Sequence, residues 1–251
     1  MNKKVKSILV SQPKPQTEKS PYFDLEQKYN LEIDFRSFIH VEGIPVSEFR
    51  QTKINFLDFS AVFFTSRTAI DHYFRLAEEL RLTIPDDMKY FCVSEATAFY
   101  LQKYIVYRKR KIFYGNGRFD DLLKITAKHK TEKFLLPLAD IHKQSIPELL
   151  DQAGFNYTKA IMYKTVLSDL SDLANIKYDI LVFFSPSGIK SLLKNFPNFE
   201  QGETRIAAFG PTTGTAVEEA GLRLDIKAPH PKAPSMTMAL EQYVKEANKK
   251  K

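Results

Sequence analysis

One pattern occurs twice in this chain, and few architectures can carry such a repeat. The run Ala61-Val-Phe-Phe-Thr65-Ser66-Arg67-Thr-Ala-Ile returns as Ile180-Leu-Val-Phe-Phe-Ser185-Pro-Ser187-Gly188-Ile. A second run, Tyr90-Phe-Cys-Val-Ser94-Glu-Ala-Thr97-Ala, returns as Ile206-Ala-Ala-Phe-Gly210-Pro-Thr212-Thr213-Gly. Each copy is a short apolar stretch, then small hydroxyl residues, then a helical pattern. A buried strand ends at that point and a helix begins, presenting unpaired N–H groups beside hydroxyls. Two such edges are suited to a ligand carrying many negative charges.

The apolar runs at 5–10, 33–41, 61–65, 89–93, 111–114, 133–137, 159–166, 179–184, 204–209 and 223–227 are predicted strands. Ile70, Tyr73, Phe74 and Ala77 share one helical stripe starting near Arg67. Leu240, Tyr243, Val244 and Ala247 form another, with Ser235 as its N-cap. Strands alternating with helices imply parallel sheets covered on both faces. The expected fold is α/β, with two doubly wound parallel-sheet domains. Residues 34–41 and 160–166 alternate apolar and polar side chains and flank the first copy of the repeat. They are expected to be linker strands forming a two-stranded β-ladder. The domains would then be a discontinuous one, 1–37 plus 165–251, and an inserted one, 42–159.

A length of 251 residues suits two domains of ordinary size. The apolar stretches are too short for a membrane span, and Met1-Asn-Lys-Lys precedes no secretory apolar region. Cys92, the single cysteine, lies in an apolar run and reads as a core residue, so the expected location is cytoplasmic. The net charge of +7 draws on Arg108-Lys-Arg-Lys111 and the terminal lysines 249–251. These runs read as solvated surface. Without a nucleic-acid motif or aromatics among the basic residues, an acidic small molecule is the expected partner, not nucleic acid.

The five histidines, among them His72, have no metal-ligand spacing, so no metal is expected. His72 is expected on a helix surface. Gly115-Asn116-Gly117 is neither GxGxxG nor a Walker loop, but it places Asn116 at a strand's C-terminal edge, where doubly wound folds hold ligands. Ser185-Pro-Ser187-Gly188 lacks the GxSxG frame of a serine hydrolase. The repeated hydroxyls remain: Thr65, Ser66, Ser94, Thr97, Ser185, Ser187, Thr212 and Thr213. Singly, each has a helix cap as its alternative role. Arg67 and Arg205 are candidate full charges beside two of these edges.

These residues resemble the uroporphyrinogen-III synthases. Phe64-Thr65-Ser66, Phe184-Ser185-Pro186-Ser187-Gly188 and Ala207-Ala-Phe-Gly210-Pro211-Thr212-Thr213 match that family's signatures in the same order. Pro229-His-Pro-Lys-Ala-Pro-Ser235 resembles its proline-containing run before the last helix. Ile161-Met-Tyr163-Lys-Thr165 is similar to its return linker with a recurrent tyrosine. The resemblance implies a substrate cleft between two α/β domains, and a lyase that works without metal or organic cofactor. It also implies the substrate hydroxymethylbilane, a linear tetrapyrrole polycarboxylate that closes with its last ring inverted and loses water. The expected protein is a monomer in touch at most transiently with the preceding pathway enzyme. Tyr163 is the implied catalytic residue, assisting departure of hydroxide; a structural place in the linker ladder is its alternative. Thr65, Ser66, Arg67, Ser94, Thr97, Asn116, Ser185, Ser187, Gly188, Arg205, Gly210, Thr212 and Thr213 are the substrate-binding candidates.

The chain departs from the family at three places. Ser94 stands where a glycine is common, Leu135-Leu-Pro-Leu138-Ala-Asp140 lacks the usual Gly and Arg, and Arg67 follows the Thr-Ser pair directly where relatives carry an arginine two residues beyond it. A non-catalytic two-domain module binding a polyanionic small molecule would use the same edges without turnover.

Overall fold

The computed structural model describes residues 4–17, 19–173 and 177–249, so Met1-Asn-Lys3 and the last two lysines of the C-terminal run lie outside the described residues. The chain divides into two compact units, one of Met1–His40 with Val166–Lys251 and one of Val41–Thr165. The first opens with β1 (Ser7–Val10), α1 (Pro21–Tyr29) and β2 (Glu32–Phe35). After β3 (Ile39–Gly43), the second runs through α2 (Val46–Gln51), β4 (Ala61–Phe64), α3 (Arg67–Glu79), β5 (Lys89–Cys92) and α4 (Glu95–Tyr100). It continues with β6 (Ile112–Tyr114), α5 (Phe119–Thr126), β7 (Phe134–Ala139) and α6 (Ser145–Gln152). The long strand β8 (Tyr157–Leu167) leads back to the first unit. There follow β9 (Ile180–Phe183), α7 (Pro186–Asn195), β10 (Arg205–Phe209), α8 (Pro211–Glu219), β11 (Leu224–Ala228) and α9 (Met236–Ala247).

The first unit's sheet has the order β11-β10-β9-β1-β2, with every neighbouring pair parallel. The second sheet has the order β3-β8-β7-β4-β5-β6, parallel from β8 to β6. Successive side chains of a strand point to opposite faces, and both faces are covered. On β4, Val62 and Phe64 enter one core with Ile70 and Tyr73, while Ala61 and Phe63 enter another with Phe91 and Phe134. Phe63 stacks on Phe134 at 4.3 Å between ring centroids. Each buried phenylalanine of this kind contributes roughly 1.5–3 kcal/mol. This double coverage is why the strands read as unbroken apolar runs.

The predicted strand 33–41 is two strands. Arg36 N donates to Val10 O at 3.0 Å, ending the pairing with β1. Phe38 then packs edge-on against Phe183 at 5.5 Å. The alternation continues through this break, which is why the segment reads as one strand. Residues 34 and 35 therefore belong to the first unit's sheet, and the neighbour of β8 is Ile39–Gly43. β8 also pairs with β7, so the expected ladder extends a sheet instead of standing alone. Both predicted helical stripes are found. α3 buries Ala69, Ile70, Tyr73, Leu76 and Ala77, and Ser235 caps α9 by accepting from Met238 N. Cys92 is fully buried, and burial pushes its thiol up to about 12.

Candidate functional site

In each unit the carboxyl ends of adjacent parallel strands lead into helix starts, and the repeated hydroxyls stand there. In the second unit β4, β5 and β6 are neighbours. Ser66 caps α3, its Oγ accepting from Ala69 N at 3.1 Å, and Ser94 caps α4, accepting from Thr97 N at 3.3 Å. Ser94 Oγ also lies 3.0 Å from Thr97 Oγ1. A backbone bridge between Ser94 and Asn116 draws the exposed Asn116 to the same edge, the turn being completed by Gly117 at φ 100°. Gly115 admits close packing, since a Cβ there would meet Leu122 N at 3.0 Å. Thr65 is half-buried, and its hydroxyl has no hydrogen-bond partner among the described residues. Arg67 is exposed and lies over the Tyr100 ring at 5.4 Å.

In the first unit, Ser185 caps α7, accepting from Gly188 N at 3.3 Å, with Pro186 in the first turn. The hydroxyls of Ser187 and the exposed Thr212 are free of partners among the described residues. At α8 the cap is Gly210, at φ 87°, a conformation natural to glycine. With no side chain at the cap, the amides of Thr212 and Thr213 receive no hydroxyl, so this helix start offers bare backbone donors. Gly188 is packed tightly, since a Cβ would meet Phe183 Cδ1 at 3.2 Å and Ser11 Oγ at 3.8 Å.

The cap and ligand roles of these serines are compatible. A serine oxygen that accepts a helix N–H keeps its own proton for another acceptor. Ser94 and Ser185 can each therefore stabilise a helix and still donate to a carboxylate, whereas the Ser66 hydroxyl is turned to Tyr163. Glu95, exposed in the first turn of α4, works against an anion there, although Tyr114 Oη donates to it at 3.0 Å.

Two candidates stand differently from expectation. Arg205 requires correction: it begins β10, in register with Ile180 at the start of β9, about 16 Å of strand from the Gly210 edge. It is 5% exposed, and its Nε donates to Tyr243 Oη at 3.3 Å. Its position one residue before an apolar run marks a strand start, whereas the repeated hydroxyls stand at strand ends. Thr213 is 1% exposed, so Thr212 carries the accessible hydroxyl of that pair.

Tyr163 lies on β8 opposite Ala139 and is 9% exposed. Burial pushes its phenol above the ordinary value, and hydrogen bonding with the Ser66 side chain pulls the other way. The ring stacks on His72 at 5.0 Å and 17°. Burial, then the Arg75 charge, holds the imidazole below its ordinary value, while Asp71 opposes this. Asp71 itself accepts from Tyr100 at 2.9 Å, from Lys103 at 3.0 Å and from Tyr104. Burial would raise its carboxyl, but these donors leave it lowered.

Sequence reasoning missed Ser11 and the placement of His72. Ser11 follows the Ile8-Leu-Val10 run as Thr65 follows Phe64, and its N donates to Val182 O at 3.0 Å beside the Ser185 edge. The position of Ser11 directly after an apolar run was the available signal. His72 lacked one, because its partner Tyr163 is distant in sequence. Among the described residues no cluster of three or more His, Cys, Asp or Glu is arranged to hold a metal ion.

A family model described as Uroporphyrinogen-III synthase HemD matches residues 27–238. A uroporphyrinogen-III synthase of Chlorobaculum parvum is 27% identical over 257 aligned positions, covering 96% of this chain and all of that one. Among solved structures, uroporphyrinogen-III synthetase from Helicobacter pylori aligns with a TM-score of 0.61 at 19% identity, over 96% of this chain and 100% of that one. A mutant uroporphyrinogen III synthase from Thermus thermophilus aligns with a TM-score of 0.52 at 14% identity, over 97% and 98%. The two structures share the fold, and the family model spans both copies of the hydroxyl-rich strand end. The chain belongs to the uroporphyrinogen-III synthase family.

Proposed function

We propose that this chain converts hydroxymethylbilane to uroporphyrinogen III, using Tyr163 to assist departure of the terminal hydroxide. Attack at the substituted carbon of the last ring gives a spiro intermediate. This fragments and recloses with that ring inverted, so that one water is lost overall. The observation that carries the reading is the Tyr163 phenol, nearly buried on β8 and stacked on the His72 ring. A phenol raised by burial keeps its proton at neutral pH, and such a group serves a leaving oxygen as a hydrogen-bond donor.

The acetate and propionate arms of the substrate fall to the strand ends. In the second unit these are Thr65, Ser66, Arg67, Ser94, Thr97 and Asn116, and in the first Ser185, Ser187, Gly188, Gly210 and Thr212, with the Thr213 amide. Holding the open chain in the geometry that favours inversion is an orientation effect, the main contribution such a site can make. The reading includes a monomer in a reducing compartment, the cytoplasm, in keeping with a buried single thiol.

Tyr163→Phe tests the catalytic part. Loss of a donor that acts in the transition state lowers kcat by about a hundredfold and leaves KM nearly unchanged. A kcat equal to that of the unmodified chain removes Tyr163 from the chemistry.

A further inference from the structure

Three residues outside the repeated pattern form one connected group with Tyr163 in the second unit. Gly43 ends β3, and a Cβ there would lie 2.6 Å from Arg75 Cζ. The bare backbone thus makes room for the guanidinium. In that space Arg75 Nη2 donates to Ile44 O at 2.9 Å and Met162 O at 3.4 Å, and Nη1 pairs with Glu79 at 2.7 Å. Nε is left to donate to His72 Nδ1 at 3.2 Å. A guanidinium in a protein keeps its protons and can only donate. Nδ1 must therefore present its lone pair, and the imidazole is neutral with its proton on Nε2. An imidazolium would set N–H against N–H. The same arginine thus holds the backbone at Met162 and, through His72, the ring of the next residue, Tyr163.

We propose that Gly43, Arg75 and His72 are positioning residues for Tyr163. The arginine fixes the plane and tautomer of the imidazole, and the stacked imidazole fixes the direction in which the phenol delivers its O–H. A neutral ring does this without placing a positive charge against the buried phenol. The proposal rests on the catalytic role given to Tyr163 above.

One readout is independent of turnover. Side-chain nitrogen NMR of the histidines in the full chain near neutral pH shows His72 as the Nε2–H tautomer. In Gly43→Ala, where only the far end of the arginine must move, and in Arg75→Met, the tautomers become mixed. An Nδ1–H or doubly protonated His72 in the unmodified chain overturns the proposal, as does a spectrum that neither substitution changes.

The second readout is steady-state turnover of hydroxymethylbilane. His72→Ala lowers kcat by up to about tenfold, the upper end for one aromatic pair, with KM within about twofold. His72→Phe, which keeps a flat ring against Tyr163, recovers most of the loss. In a Tyr163→Phe background His72→Ala costs nothing further. A loss that persists undiminished in that background, or that falls on KM alone, overturns the proposal. If Tyr163→Phe alone retains full kcat, the catalytic reading of Tyr163 fails and the positioning role with it, whereas the tautomer still reports the Arg75–His72 geometry.

Discussion

Replacing Ser185 separates the two tasks its hydroxyl can perform at the start of α7. The oxygen accepts from Gly188 N at 3.3 Å, so Ser185→Ala removes a cap and costs about 1 kcal/mol. For a chain of this size that lowers Tm by about 2–4 °C. If the hydroxyl also donates to a substrate carboxylate, a charge-assisted bond of about 1.5–3 kcal/mol is lost as well. KM then rises by roughly ten- to a hundredfold. Ser185→Asp has the opposite profile. Aspartate caps as well as serine and suits the positive end of the helix, so Tm stays within about 1 °C. It also puts an anion where the substrate's carboxylate belongs. Two carboxylates about 4 Å apart near a protein surface repel by about 4 kcal/mol before salt screening. KM should rise at least a hundredfold with Tm unchanged, a combination a purely structural cap cannot give. The assay pairs calorimetric Tm with initial rates over a hydroxymethylbilane series. An aspartate variant with the unmodified KM refutes the reasoning and leaves Ser185 as a cap only.

Other expectations follow from the same geometry. Arg205→Lys leaves KM for hydroxymethylbilane within about twofold, because Arg205 lies at the far end of β10; a tenfold rise would restore it to the site. Cys92 stays unreactive toward a thiol reagent in the folded chain and reacts on unfolding, and rapid labelling of the native protein would contradict its burial. His72 is held below its ordinary pKa of 6.5 by burial and Arg75, so between its folded and ordinary values the unfolded chain binds more protons. Stability therefore rises with pH through that window, is complete above it, and is lost as pH falls through the folded pKa. Denaturant midpoints measured across the window should show this slope in the unmodified chain and a smaller one in His72→Phe.

The parallel sheets were legible in the sequence because a strand covered on both faces must be apolar throughout, as Ala61–Phe64 and Ile180–Phe183 are. The strand-end hydroxyls were legible because they recur, although recurrence cannot tell a cap from a ligand contact. Ser66, Ser94 and Ser185 all prove to be caps, and only the remaining protons of Ser94 and Ser185 are available to a substrate. The Tyr163 neighbourhood was not legible. His72 and Arg75 share α3 with the repeat, but Tyr163 and Gly43 reach them from β8 and β3. Such contacts depend on strand order, which local pattern does not encode. Arg205 was misplaced for a simpler reason, since a charge beside an apolar run marks either of its ends.

The most direct test is the identity of the macrocycle formed from freshly generated hydroxymethylbilane, resolved as type III or type I uroporphyrinogen after oxidation. The account predicts mainly type III with the unmodified chain, above a control without protein. Type I alone, with the substrate nevertheless bound, would mean that these edges hold the polyanion without directing inversion, and would contradict it.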